Sequence, residues 1–237
     1  MKKFAPCLAL TLSALAQAET TPAEPPLYSA VYTVSHAGIR AAESTVTLRR
    51  EGDEYVYESI TRPAGFVAMF RSDEIVESSR FRMAGGQPVP LQYRYVHAGS
   101  DKNRNASIRF DPARHVAESD HRGERRILEL PRPALDRMLM QVALTLDAAA
   151  GKQSFVYPIL DRNEVKTYRF HRVARERLVV PAGTYETIRL ERLSDRPGKK
   201  TVFWLAPALD FVPVRMDHHD PDRAATALEL VEFSRAD

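Results

Sequence analysis

The chain has 237 residues, 44% of them hydrophobic, with 34 Lys plus Arg, 31 Asp plus Glu and one cysteine. A lone cysteine excludes a disulfide framework and a multi-thiolate metal site, and a chain of this length buries a sizeable core without such staples. A formal net charge of +3, with acids and bases interleaved, leaves no basic footprint for nucleic acid or for an anionic membrane.

The N-terminal stretch MKKFAPCLALTLSALAQA carries two lysines, an apolar run over residues 4–16, and the triplet Ala16-Gln17-Ala18. These are the three parts of a secretory signal cleaved after Ala18, and the run is too short for a membrane span. Cys7 lies inside the run rather than at its end, which does not suit a lipid-anchored cysteine. Cleavage removes Lys2 and Lys3 and no acid, so residues 19–237 hold 32 bases, 31 acids and no cysteine. With no later apolar stretch of membrane-spanning length, the predicted destination is the periplasm, with no transmembrane segment. The predicted division is a signal peptide over 1–18, a polar, proline-rich flexible leader over 19–26, and one β-rich domain over 27–237.

From residue 27 onward the dominant period is two. YSAVYTV puts Tyr28, Ala30, Tyr32 and Val34 on one face; VPLQYRYVH sets Val89, Leu91, Tyr93 and Tyr95 against Pro90, Gln92 and Arg94. RNASIRFD alternates Ala106, Ile108 and Phe110 with polar neighbours, and ETIRLER does the same with Ile188 and Leu190. Such alternation marks strands of an antiparallel sheet with one wet face. Turn clusters between them predict about a dozen strands. The densest basic cluster, HRGERR at 121–126, surrounds a glycine and reads as a solvated turn rather than a phosphate patch.

One segment breaks the period. In ALDRMLMQVALTLDAAAG, the residues Leu135, Met138, Leu139, Val142, Leu146 and Ala149 share one helical face, predicting about four turns. Pro133 suits the helix entry, Gly151 its end, and Asp136 the positive pole of the first turn. The fold class is therefore mostly β: a single antiparallel curled sheet or incomplete β-barrel, with one amphipathic α-helix packed against it.

No G-x-S-x-G, H-E-x-x-H, Walker A, G-x-G-x-x-G or C-x-x-C motif is present. The acids of SDE (72–74) and EGDE (51–54) fall in polar turns, where nothing predicts the desolvation that makes a general acid. His218 and His219 are adjacent; on a strand their rings face opposite sides and cannot share a metal. If the strand ended at Asp217, a loop could gather Asp217, His219 and Asp220 around a cation. No catalytic residue and no cofactor is predicted. Aromatic and apolar side chains on a curled sheet either fill a core or enclose one apolar ligand. The candidate ligand-binding residues are Tyr93, Tyr95 and Trp204 on strands and Met138 and Val142 on the helix.

VPAGTYETIRLER followed by VFWLAPALDFVPVRM resembles the bacterial family known as domain of unknown function 3108. YTVSHAGIRAAESTVTL, Pro90 to Tyr93, IRFD and Asp136 fit the same pattern. The resemblance implies an exported, mostly β protein with no established activity, and it supplies no catalytic residues. At the helix start Met138 and Leu139 stand where the resemblance leads one to expect Ser or Thr, which argues against a polar role there. The function expected is non-catalytic binding of a lipid-like or apolar ligand in the cell envelope. The alternatives are a module that joins an envelope protein partner through a sheet edge, and a carboxylate- or metal-dependent envelope hydrolase.

Overall fold

A computed structural model describes residues 24–99, 104–130, 132–194 and 196–236. The predicted signal peptide and residues 19–23 of the predicted leader lie outside them. Of the remaining leader residues, Pro25 is buried and Pro26 packs beside Tyr28 and Leu48.

The described residues form one antiparallel sheet of fourteen strands. The first half is β1 (Tyr28–His36), β2 (Ile39–Glu51), β3 (Glu54–Pro63), β4 (Glu74–Ala84), β5 (Gln87–Ala98), β6 (Ala106–Asp111), β7 (Val116–His121) and β8 (Glu124–Glu129). The second half is β9 (Ser154–Asp161), β10 (Glu164–Val180), β11 (Gly183–Leu193), β12 (Lys200–Ala206), β13 (Val212–Asp220) and β14 (Arg223–Arg235). Strands β1 and β14 pair in the middle, while β8 and β9 form the two edges. The chain thus winds outward from the centre, crosses to the opposite edge, and winds back. The crossing segment carries α1 (Leu139–Ala149).

Period two is realised as burial in β1, where Tyr28, Ala30 and Tyr32 are core residues, and in β6, where Ile108 and Phe110 are. One phase differs from the sequence reading. A bulge pairs Phe81 with Pro90 and Arg80 with Gln92, leaving Leu91 over. The extra residue flips the strand. Pro88 and Pro90 therefore face the core with Tyr93, while Val89 and Leu91 are only half-buried. Further bulges interrupt β1, β10, β12–β13 and β13–β14. Each adds local twist, which is how a sheet this wide curls rather than lying flat.

The curl is not a closed barrel. At its seam the segment before α1 lies along the free edge of β9. Leu135 N–H donates to Pro158 O at 2.9 Å, and Leu160 N–H donates to Leu135 O at 2.8 Å. Buried Asn163, in the β9–β10 turn, reaches the other edge: Ser119 Oγ donates to its Oδ1 at 2.6 Å, and its Nδ2 donates to Glu124 O at 2.9 Å.

The helix is shorter and more deeply buried than its sequence stripe predicts. Residues 135–137 are not helical, because backbone pairing holds Leu135 extended on β9. Nine of its eleven residues are buried, and Ala149, assigned to the stripe, is exposed. A helix covered on almost all sides is the core filler of the curl, and its polar residues must then be satisfied inside. Thr145 Oγ1 donates to Gln141 O at 3.1 Å; Asp147 accepts from Lys152 Nζ at 2.6 Å and from Tyr157 OH at 2.8 Å. Among the described residues no helix is long and apolar enough to cross a membrane.

Candidate functional site

The start of α1 is polar, contrary to the expectation drawn from Met138 and Leu139. Asp136 is fully buried, and its Oδ1 accepts from Met138 N–H at 2.9 Å and Leu139 N–H at 2.8 Å. That is an N-cap satisfying two donors a helix cannot satisfy itself. Ser79 on β4 donates to the second oxygen at 2.7 Å. Burial pushes the Asp136 carboxyl up to about 7, against these hydrogen bonds and with the help of nearby Glu77.

Next to this cap, Glu77 and Arg137 form a part-buried pair at 2.5 Å, and Tyr93 OH donates to Glu77 at 2.8 Å. Burial opposes the Arg137 charge, but Glu77 keeps it firmly cationic. Its guanidinium lies 5.2 Å from the Tyr95 ring centroid and 5.9 Å from that of Tyr93.

The pair sits near two spaces on the concave side. The first is an apolar cavity of about 220 Å³ between the start of α1 and strands of both halves of the sheet. Tyr32, Tyr57, Met138 and Phe203 line its buried part, with Met216 and Leu228 towards its outer part. Glu77 lies in its wall, with Ser44, Ser59 and Thr61 in one hydrogen-bonded chain. Tyr57 is pushed up to about 12 by burial, so its hydroxyl stays neutral. The second space, of about 150 Å³, lies under Tyr95 and Arg137.

The predicted ligand residues divide accordingly. Tyr93 and Tyr95 meet at Arg137, Met138 lines the apolar cavity, and Val142 faces a narrow cleft beside Tyr28 and Pro26. Trp204 is not brought to them. Phe203 and Leu205 point inward, so Trp204 lies on the outer face, donating to Glu176 under the Arg215 guanidinium 5.3 Å away. Sequence reasoning missed Glu77 and Arg137, which lie 60 positions apart and carry no local signal.

The alternative metal residues are engaged elsewhere. Asp217 takes both arms of Arg215 at 2.8 and 3.0 Å, and His219 is exposed. Asp220 is buried between Arg196 at 3.3 Å and Lys199 at 3.6 Å. His218 turns to Thr201 instead, 2.9 Å away, on the opposite side of the strand from His219. Among the described residues no group of three His, Cys, Asp or Glu could hold a metal ion.

Comparison with solved structures places the fold beside a β-barrel-like protein of domain of unknown function 1849 from Brucella abortus. The TM-score is 0.57 at 11% identity, covering 91% of this chain and 100% of that one. Weaker likenesses are to a protein described as a lipoprotein from Parabacteroides distasonis (TM-score 0.38, 10% identity, 88% of this chain and 95% of that one) and to one described as exported, with a YmcC-like fold, from Bacteroides fragilis (0.33, 8%, 89% and 100%). No curated protein matches the sequence. A family model described as protein of unknown function (DUF3108) matches residues 31–227, and by that match the chain belongs to the DUF3108 family.

Proposed function

We propose that the protein is a non-catalytic periplasmic carrier that takes an apolar or lipid-like group into the cavity between α1 and the curled sheet. The observation that carries this reading is the cavity itself. A well-packed core leaves few voids larger than a water molecule, and this one is lined by two tyrosines, two methionines and a phenylalanine. At about 220 Å³ it lies below the roughly 300 Å³ where whole small-molecule pockets begin, so it suits one acyl segment or ring rather than a two-chain lipid.

The surroundings support entry from an apolar phase. Val34 in the cavity wall pairs with Ala42, and Ala42 with Pro63. The chain then forms a short 3-10 turn, Gly65–Met69, whose Phe66 and Met69 are exposed together with Phe70 and nearby Ile39. Phe66 and Phe70 meet edge to face at 5.0 Å between centroids, and both are exposed rather than in the core. Contiguous exposed apolar groups of this kind mark interaction with a membrane or partner.

Native mass spectrometry of protein purified from periplasm tests the proposal, alongside uptake of an apolar fluorescent dye. A retained apolar ligand or dye uptake is expected, and uptake is expected to fall when Leu228→Trp fills the outer end of the cavity. A bare chain mass with no dye uptake overturns the reading.

A further inference from the structure

The second space beside the Glu77–Arg137 pair is lined by Arg104, Arg122, Arg137 and Arg162, by His121 and Tyr95, and by a single carboxylate, Asp161. Arg137 is matched by Glu77 at 2.5 Å, and Arg162 leans on Asp161 at 3.7 Å. Among the described residues no carboxylate lies within ion-pair distance of Arg104 or Arg122. The pocket therefore holds a surplus of about two positive charges on a concave surface, whereas the outer strand faces pair Arg with Glu or Asp repeatedly. Burial holds the His121 pKa down, and Arg122 and Arg162 push it further in the same direction.

The backbone supports the same conclusion independently. Arg122 (φ 58°) and Arg162 (φ 53°) each occupy the first central position of a two-residue hairpin turn, between β7 and β8 and between β9 and β10. Both turns have positive φ at both centres, with Gly123 and Asn163 second. That turn type favours Asn, Asp or Gly at its first position, and arginine there is strained. Two such exceptions line one pocket. The turns are also locked to their surroundings: Arg122 N–H donates to Asn105 O at 2.9 Å, and Asn163 ties the second turn to Ser119 and Glu124. Strained residues held in place by their surroundings concentrate at functional positions.

We propose that this pocket is a binding site for a phosphoryl group. Several cations converging from separate elements suit a tetrahedral, multiply charged oxyanion better than a planar carboxylate. A phosphoryl charge of about −1.5 to −2 matches the local surplus. The volume of about 150 Å³ takes such a group with some of its water, at about 30 Å³ per water molecule. The basic cluster HRGERR thus divides: Arg125 and Arg126 stay exposed on β8, paired with Asp120 and Glu124, while Arg122 serves the pocket.

The phosphoryl group comes either from a lipid headgroup whose chain enters the neighbouring apolar cavity or from a free phosphate. Calorimetry on the purified protein at low ionic strength, with inorganic phosphate and with dihexanoyl phosphatidate, separates the two. Saturable binding that weakens with added salt is expected. Arg122→Gly and Arg162→Gly are each expected to weaken it at least about tenfold, the loss of one charge-assisted hydrogen bond. Both variants are expected to keep or raise Tm, because glycine takes positive φ without strain. Tighter binding of phosphatidate with release of a preloaded apolar dye identifies a headgroup; equal binding with the dye retained identifies free phosphate. No binding of either probe, or unchanged binding in both variants, overturns the site. Dye uptake without phosphate binding would leave the carrier reading standing, and phosphate binding without dye uptake would leave this site standing.

Discussion

Asp136 shows how one residue joins local and global structure. It caps α1, anchors the cap to β4 through Ser79, and is fully buried. Its folded pKa of about 7 lies above the roughly 3.9 of an unfolded Asp, so between these values the folded state holds the extra proton. Stability from this group is therefore complete below about pH 4 and declines as pH rises to about 7, by an amount on the order of 3–4 kcal/mol. Urea unfolding of Asp136→Asn across that range is expected to lose this decline, because the amide oxygen still accepts from the helix N–H groups and carries no charge. Asp136→Ala is expected to be less stable than Asp136→Asn by about 1–2 kcal/mol from loss of the cap. If Asp136→Asn keeps the wild-type slope, the buried carboxylate is not its source. The sequence placed Asp136 correctly at the helix start, but its burial depends on β4, more than fifty positions away, which no local pattern encodes.

At the scale of elements, alternation located the strands well, and failed where an extra residue entered a ladder. Leu91 is the case in point: a bulge set by pairing with β4 reverses which neighbours face in, while the residues themselves still alternate. The helix shows the complementary limit. Its stripe was legible, but its other faces are also buried, and only the curl of the sheet around it explains why. Trp204 read as a ligand residue because aromatic type alone does not tell the inner face from the outer. The exposed 3-10 turn carries its own prediction. The double variant Phe66→Ser with Phe70→Ser should change stability by no more than about 0.5 kcal/mol, since neither ring is in the core. Uptake of an apolar dye from vesicles should nevertheless slow, while uptake from solution stays unchanged. Equal slowing from both sources would assign the rings a structural role.

On the scale of the molecule, the outward-and-back winding puts the two free edges next to each other at the seam and leaves the helix inside the curl as part of the core. The seam depends on Asn163, which makes two hydrogen bonds to the opposite edge. Asn163→Gly keeps the positive-φ turn yet leaves Ser119 and the Glu124 carbonyl without this partner, and a loss of about 1–3 kcal/mol is expected in thermal or urea unfolding. An unchanged stability would mean that pairing of Leu135 on β9 holds the seam alone. The same architecture explains why the cavity was foreseeable only as a possibility: its walls come from β1–β4, β12–β14 and α1, elements brought together by topology. The central claim is that this cavity takes an apolar ligand, and labelled methionine methyl groups report on it directly. Met138 and Met216 line the cavity, whereas Met69 is exposed on the 3-10 turn and Met83 does not line the cavity. In a methyl NMR titration with a short-chain fatty acid, the Met138 and Met216 signals are expected to shift saturably while Met83 stays still. Unmoved Met138 and Met216 signals at saturating ligand would contradict the account.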